Sequence, residues 1–429
     1  MAIRYPRWLS GLVPLVAVLV ALVVAFVART RVETGQLTTT DLEVFWVSGK
    51  AVWSGRDPYL FWLPGAHLSL TYPPFAGLLL APLSLLSLSA LRIVWFTGVL
   101  VALQAIVWLA TGWVGVRRTR LRLLLCLLAP VSVFLIDPLW QELWSGQVNV
   151  FVALLVLADL CRRNGARGRG IGIGLAAGIK LTPALFIVYL ALTRRFREAL
   201  TALAAFAATV AAGFLLMPTQ AWQYWTHWAW DVQRIYAQPG IVFNQSLRGA
   251  VARLLHHDAV LPWALTIAVV VVAGLAVCVG LYRRGMDREG AVLCGVVALL
   301  VSPVSWVYHW VWLVPVLIVL VAGAIRTRSP GWIAAAVVTA AVALTHPYTW
   351  VGGFSATPSG LFGGYRGWWP SWTGFGASPS GLFAQLAGDS LVLVGLLLLA
   401  GGAVLALSRR DEPPALPLRI KEGAVLRSG

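Results

Sequence analysis

Away from its arginine-rich stretches this sequence has few ionisable side chains, and their surroundings narrow what each can do. Asp41 and Glu43 come first, in Thr40-Asp41-Leu42-Glu43. A carboxylate near a low-dielectric boundary serves as a general base, because partial desolvation raises its proton affinity toward working pH. In the first turn of a helix the same Asp41 also complements the helix dipole, so residue type alone leaves both readings open. Glu142 precedes Gln147 and Asn149, which read either as hydrogen-bonding groups of a site or as a helix start at an interface. Lys180 lies deep in the apolar run Ile171 to Thr193, where an ionisable group is costly and function is the default reading. Asn244, Gln245 and Arg248 share one short polar run, and His309 follows Ser302-Pro303-Val304-Ser305-Trp306. Lys180, Arg248 and His309 are candidates for holding an anionic group such as a lipid phosphate. Arg248 reads equally as a headgroup contact, and His309 as part of an aromatic belt. Asp57, before Pro58, reads as a turn residue, and Trp222 to Trp230 as interface anchors more than a sugar platform. No Cys or His cluster has metal-ligand spacing; Cys126, Cys161, Cys278 and Cys294 read as free packing residues.

The elements that must hold these groups start with the stretch Thr38 to Ala81. Its spacing predicts a short amphipathic helix on a membrane surface, within a first outer loop spanning residues 29–72. Thr40 is the expected N-cap, with Glu43 reaching back in a capping box. Leu42, Phe45, Trp46, Gly49, Val52 and Trp53 fall on one face, and Gly55 is the expected stop.

Of the 429 residues 59% are hydrophobic and only 11% charged, and several apolar runs reach membrane-spanning length. The expected fold is an all-α, polytopic integral membrane protein of about 10–12 transmembrane helices, since open sheets cannot face lipid. Leu12 to Val27 reads as a retained first helix, residues 1–410 as one multi-span domain, and 411–429 as a short cytosolic tail. A net charge of +17 would point to nucleic acid in a soluble protein; here the arginines sit in short inter-helix loops, as the positive-inside rule requires. Placing every basic tract inside leaves two runs that do not cross singly. Tyr72 to Ser89 reads as re-entrant or interfacial on the outer face. Ile171 to Thr193, broken at Lys180-Leu181-Thr182-Pro183, reads as two half-helices entering and leaving on the inner side; a pair of short, tilted spans is the alternative for either run. The segments left outside carry most of the residues named above. No internal repeat is visible, which counts against a transporter built from two halves.

Six motifs in one order resemble glycosyltransferase family 87, polytopic mannosyltransferases of GT-C architecture known from mycobacteria and related actinobacteria. They are Asp41-Leu42, Thr71-Tyr72-Pro73-Pro74-Phe75-Ala76, Gly146-Gln147-Val148-Asn149-Val150, Gly174 to Pro183 with Lys180, Phe243 to Gly249, and Ser302 to Trp306. The family often shows paired histidines after the last of these; here the pair reads Tyr308-His309.

The resemblance implies a multi-pass plasma-membrane enzyme with its site facing outward. It implies transfer of mannose from polyprenyl-phosphate-mannose to a lipid-linked acceptor, a phosphatidylinositol mannoside or lipoglycan, with no metal or other cofactor. The donor is β-linked and the product α-linked, so the displacement is inverting. By position Asp41 is the base, and Tyr72, Gln147, Asn149, Lys180, Asn244, Gln245, Arg248 and His309 contact donor or acceptor. The rival readings are transfer of arabinofuranose or glucose from another polyprenyl phosphate, and a lipid-linked-sugar flippase that needs no base.

Overall fold

The computed structural model describes residues 39–60, 63, 68–231, 239–350 and 381–408. The first apolar run Leu12 to Val27, most of the Trp-rich stretch after Tyr348 and the tail 411–429 lie outside the described residues. Everything described is helix or connecting chain; β pairing there is limited to two isolated bridges, Leu63 with Leu68 and Asn244 with Trp306.

The helices in chain order are α1 Thr40–Trp53, α2 Pro74–Leu80, α3 Leu88–Trp113, α4 Thr119–Ser132, α5 Asp137–Ser145, α6 Asn149–Leu160, α7 Ile171–Ile179, α8 Ala184–Leu192 and α9 Phe196–Leu216. After these come α10 Pro218–Gln223, α11 Leu247–Leu255, α12 Val260–Arg283, α13 Asp287–Val301, α14 Leu313–Thr327, α15 Pro330–Thr345, α16 Leu382–Gly388 and α17 Ser390–Leu407. Among the described residues six spans are long and apolar enough to cross a membrane: α3, α9, α12, α14 with the 3-10 turn before it, α15 and α17. Helices α4 and α5, bent by 64° at Ser132 to Asp137, make a seventh if counted as one broken span. The other expected crossings are shorter: α6 has 12 residues and α13 has 15, or roughly 18 and 22 Å of helix.

Helix α1 begins one residue earlier than its spacing suggests. Thr39 is the N-cap, in a left-handed conformation with φ 51°, and no side chain caps the helix. Glu43 does not reach back because Arg92 of α3 takes it at 2.7 Å, and Thr39 Oγ1 donates to the same carboxylate at 3.0 Å. The buried face is also turned from the expected one: Leu42, Val44, Phe45, Ser48 and Gly49 are inside, while Trp53 is 58% exposed. The indoles of Trp46 and Trp53 donate to the carbonyls of Leu86 and Ala81, so α1 lies on α2 and the 3-10 turn that follows it. Gly55, at φ +66°, ends the helix as expected, with the Arg56 N–H returning to the Ala51 carbonyl at 2.8 Å.

The broken run is where the fold reaches furthest toward chemistry. α7 stops at Ile179, Lys180 is extended at φ −148° and ψ 128°, and α8 restarts after Pro183. Between lipid-facing helices the apolar effect offers little drive, so close backbone approach must hold them together. Gly170, Gly174 and Gly178 form such a stripe along α7 against α9. A Cβ on Gly174 would stand 2.2 Å from the Ala202 carbonyl, and one on Gly178 would stand 2.2 Å from Thr209 Oγ1. This tight seam fixes the half-helix whose end carries Lys180.

Candidate active site

A cavity of about 740 Å³ is enclosed by the start of α1, the chain before α2, the end of α5, the break between α7 and α8, and the loops around Phe243 and Trp306. Among the described residues on its wall Asp41 is the one carboxylate and Lys180 the one Lys or Arg. Tyr72, Gln147, Tyr308 and His309 line it with them. Five of the nine sequence-derived residues therefore meet in one space, although up to 268 positions separate them in the chain (309 minus 41).

Asp41 is half-buried, and its accessible part faces the cavity. Burial pushes its carboxyl up to about 6, against the lowering effects of a Gln147 hydrogen bond and the Lys180 charge. Gln147 is held in turn: its Oε1 accepts from Tyr72 Oη at 2.6 Å, leaving its amide N–H₂ for the carboxylate. The Tyr72 backbone is pinned by Tyr59, whose hydroxyl donates to the Tyr72 carbonyl at 2.8 Å.

Across the cavity Lys180 Nζ donates to Asn149 Oδ1 at 2.6 Å and meets His309 Nε2 at 2.7 Å. An ammonium only donates, so His309 accepts on Nε2 and carries its proton on Nδ1. Two of the three ammonium protons are thus placed and the third is left for a ligand. Nζ also stands 5.5 Å from the Tyr72 ring centroid, a distance at which the ring face attracts a cation. The break between α7 and α8 carries the Lys180 side chain to the same space as Asp41.

The other four expected contacts lie off this wall. Asn244 and Gln245 are off the cavity wall, and their polar atoms hold loops together. Asn244 Oδ1 accepts from the Ser305 N–H at 2.9 Å, and the Gln245 N–H donates to the Ser305 carbonyl at 2.8 Å. The Gln245 side chain bonds Val242, Gly388 and Leu391 main chain. The two motifs thus zip to each other and present Trp306, Tyr308 and His309 to the cavity. Arg248 is paired with Asp258, Nη2 to Oδ2 at 2.5 Å, and lies 4.9 Å from the ring centroid of Trp263, which does line the cavity. Asn149 touches Lys180 from behind rather than facing the main space.

The tryptophan stretch departs from its expected role as anchor. Trp222 is 62% exposed, but Tyr224, Trp228 and Trp230 line the cavity, and Tyr59 packs on Trp228 with ring centroids 4.5 Å apart. Aromatic faces on the wall of this mostly apolar cavity suit a sugar ring. Asp57 is the turn residue expected, accepting from the Tyr59 N–H at 2.9 Å.

One residue outweighs its sequence signal. Glu142 is fully buried; Oε2 accepts from Asn149 Nδ2 at 2.8 Å and Oε1 from the Val150 N–H at 2.9 Å. It caps α6 and orients Asn149, which orients Lys180. The signal available was a carboxylate seven residues before Asn149, but only the turn at Gly146 brings them together. Glu142→Gln puts an N–H₂ where one of two donors must be accepted, so Asn149 loses its orientation. The expected result is a roughly 10- to 100-fold fall in kcat with the unfolding temperature little changed, read by transfer assay and thermal unfolding of the solubilised protein.

Gly146 sets the relation of the two walls. Its φ is +73°, and a Cβ there would stand 2.5 Å from Leu42 Cβ, beside Asp41. Gly146→Ala is expected to displace α1 from Gln147 and to lower kcat roughly 10- to 100-fold. Gly55→Ala has a similar φ but nothing within 4 Å. It should lose only about 1 kcal/mol of stability and keep full turnover, as the same two measurements would report.

The sequence profile of glycosyltransferase family 87 matches residues 70–303, more than half of the chain. The chain is 34% identical over 298 residues to a polyprenol-phosphate-mannose-dependent alpha-(1-2)-phosphatidylinositol mannoside mannosyltransferase of Mycobacterium tuberculosis, covering 65% of this chain and 69% of the relative. It is 36% identical over 281 residues to the corresponding pentamannoside mannosyltransferase of Mycolicibacterium smegmatis, covering 63% and 67%. A phosphatidylinositol mannoside mannosyltransferase of the latter organism is 31% identical over 360 residues, covering 77% and 81%. No solved structure matches this chain. The match of the family profile, together with the length shared with these relatives, shows that this membrane protein belongs to glycosyltransferase family 87 and is a glycosyltransferase.

Proposed function

We propose that this enzyme transfers mannose from polyprenyl-phosphate-mannose to a phosphatidylinositol mannoside or related lipoglycan, with inversion, at the outer face of the plasma membrane. Donor and acceptor class follow the named activities of the relatives. The observation that carries the mechanism is the pairing, in one cavity, of a single carboxylate with a single ammonium among the described residues. Asp41 takes the proton of the acceptor hydroxyl, whose oxygen attacks the anomeric carbon of a β-linked mannosyl group. The bond from that carbon to the phosphate oxygen breaks, and polyprenyl phosphate leaves with its charge met by Lys180. Tyr72 and Gln147 orient the base, His309 and Asn149 orient the ammonium, and Tyr224, Trp228 and Trp306 supply aromatic faces for the sugars. Asn244, Gln245 and Arg248 support the site through its loops and through Trp263.

Leu181, Leu185, Ile267, Ala298 and Val301 make an apolar flank of the cavity among α8, α12 and α13, which suits the polyprenyl chain. The orientation rests on charge. α13 runs from the Arg283–Arg288 tract to the cavity, and α14 runs from the His309 turn to Arg326 and Arg328. The cavity and the arginines are therefore at opposite ends of the same helices, and this charge asymmetry supports a cavity that faces outward.

The test is transfer of label from radiolabelled polyprenyl-phosphate-mannose in membranes carrying the full chain, against a panel of lipid-linked mannosides. A longer, α-linked glycolipid is the expected product. Label arriving only from a glucosyl or arabinofuranosyl polyprenyl phosphate would replace the donor, and label reaching no acceptor from any donor would sink the reading.

A further inference from the structure

A second cavity, of about 310 Å³, lies among α12 to α15 and α17 at the helix ends away from Asp41. Its wall runs along α13 from Glu289 to Val296, about 10 Å of helix. Among the described residues lining it Glu289 is the one ionisable group, and Arg326 holds it at 3.1 Å. The rest of the wall is Leu, Val, Ala, Gly and Trp332, with Ser329 at the mouth. Leu397 and Val404 line the cavity and are still 62% and 66% exposed, so it opens sideways on the bilayer side of α17.

Three arginines end or follow the helices that line the cavity, and one of them, Arg326, is already paired with Glu289. Arg326 ends α14, Arg328 is exposed in the turn just before Ser329, and Arg284 at the end of α12 donates to the Ala406 carbonyl of α17 at 2.9 Å. An apolar slot that opens to lipid under a rim of arginines is complementary to an anionic lipid: chain inside, phosphate at the rim. The volume is at the lower end for ligand pockets, so it takes part of the acyl chains and not a whole lipid.

We propose that this cavity binds an anionic phospholipid from the arginine-rich leaflet, with an acyl chain between α13 and α17 and the headgroup phosphate at Arg284 and Arg328, Arg326 being held by Glu289. The site is separate from the Asp41 cavity and does not depend on the choice of donor sugar. Gly401 offers a direct probe, since it lies on the wall and a Cβ there meets nothing within 4 Å. A leucine at that position grows into the slot.

The experiment uses the full chain in nanodiscs containing phosphatidylglycerol with a photoactivatable group midway along one acyl chain, or phosphatidylcholine with the same chain. Label from phosphatidylglycerol is expected on peptides carrying Val296, Leu320, Trp332 or Leu398. Excess unlabelled phosphatidylglycerol should displace it, and Gly401→Leu should abolish it. Arg328→Glu leaves the slot open and should remove the preference for the anionic lipid while chain capture persists. Displacement in the parent chain and the Arg328 variant carry the test whether or not Gly401→Leu folds. Equal labelling by both lipids would overturn the anionic assignment. Label confined to other lipid-facing helices, or a slot protected by another segment of this chain, would overturn the site.

Discussion

Asp41→Asn is expected to lower kcat for mannosyl transfer by roughly 10²- to 10⁴-fold, with the KM for the donor little changed. Asn keeps the shape of the side chain and a hydrogen bond to Gln147, so the walls of the cavity should stay in place. It cannot accept the hydroxyl proton. No second carboxylate stands among the described cavity residues to replace it: Glu43 is engaged by Arg92, and Glu142 is buried behind Asn149. The measurement is single-turnover transfer in membranes matched for protein level. Transfer that survives at more than a few per cent of the parent rate would remove Asp41 from the mechanism.

Two accompanying signs separate a base from a structural carboxylate. With its carboxyl raised from 3.8 to about 6, Asp41 is a competent base above that pH and is progressively protonated below it. In the parent, kcat/KM should therefore fall about tenfold per pH unit below pH 6. Stability moves in the opposite sense. The folded value lies above the unfolded one, so ionisation of Asp41 destabilises the fold, increasingly from pH 3.8 to about 6 and fully above that. At pH 7 the Asn variant should be more stable by about 1–2 kcal/mol once water in the cavity is allowed for, and should unfold at a slightly higher temperature. A variant that lost both activity and stability would instead point to a packing role.

Lys180→Met is the second large effect. The substitution keeps a linear apolar stem and removes the charge, the donor to Asn149 Oδ1 and the partner of His309 Nε2. On the proposed mechanism the leaving phosphate loses the one Lys or Arg among the described residues of the cavity wall, and kcat should fall by roughly 10²- to 10³-fold. Free polyprenyl phosphate, as product inhibitor, should bind roughly tenfold more weakly, because the same ammonium holds it after bond cleavage. Acceptor KM should stay close to that of the parent. Unchanged inhibition by polyprenyl phosphate would place the phosphate elsewhere and reassign Lys180 to holding the α7–α8 break. Lys180→Arg should recover little, since a longer planar group does not fit between Asn149 and His309.

The contrast between Asp41 and Arg248 shows how far residue types can be read. Both stood out as charges at an apolar boundary, yet one faces the cavity and the other is neutralised by Asp258, ten residues further on. Whether a charge is free for a ligand depends on what the fold sets beside it, and no local pattern states that. Asn244 and Gln245 show the same limit. Their motif is real, but its hydrogen bonds go to the Ser305 loop because two buried main-chain segments must satisfy each other's polar groups. Trp228 differs in the other direction: composition made it an anchor, and Tyr59 turns it toward the site.

By itself the sequence determined the helical membrane class, the stop at Gly55 and the break at Lys180 to Pro183. Apolar run length, glycine at positive φ and proline's missing N–H act locally and need no partner. It also determined the charge polarity of the chain, because arginines crowd the loops at one set of helix ends. Only the tertiary structure decided that Asp41 and Lys180 share a cavity, that Glu142 stands behind Asn149, and that Arg92 takes Glu43 from its cap. Those outcomes follow from the glycine seam between α7 and α9 and from the close contact of Gly146 with Leu42, where the absence of a side chain lets distant segments approach. A periodic pattern shows which face a helix buries, but the partner on that face is set by packing across the whole chain.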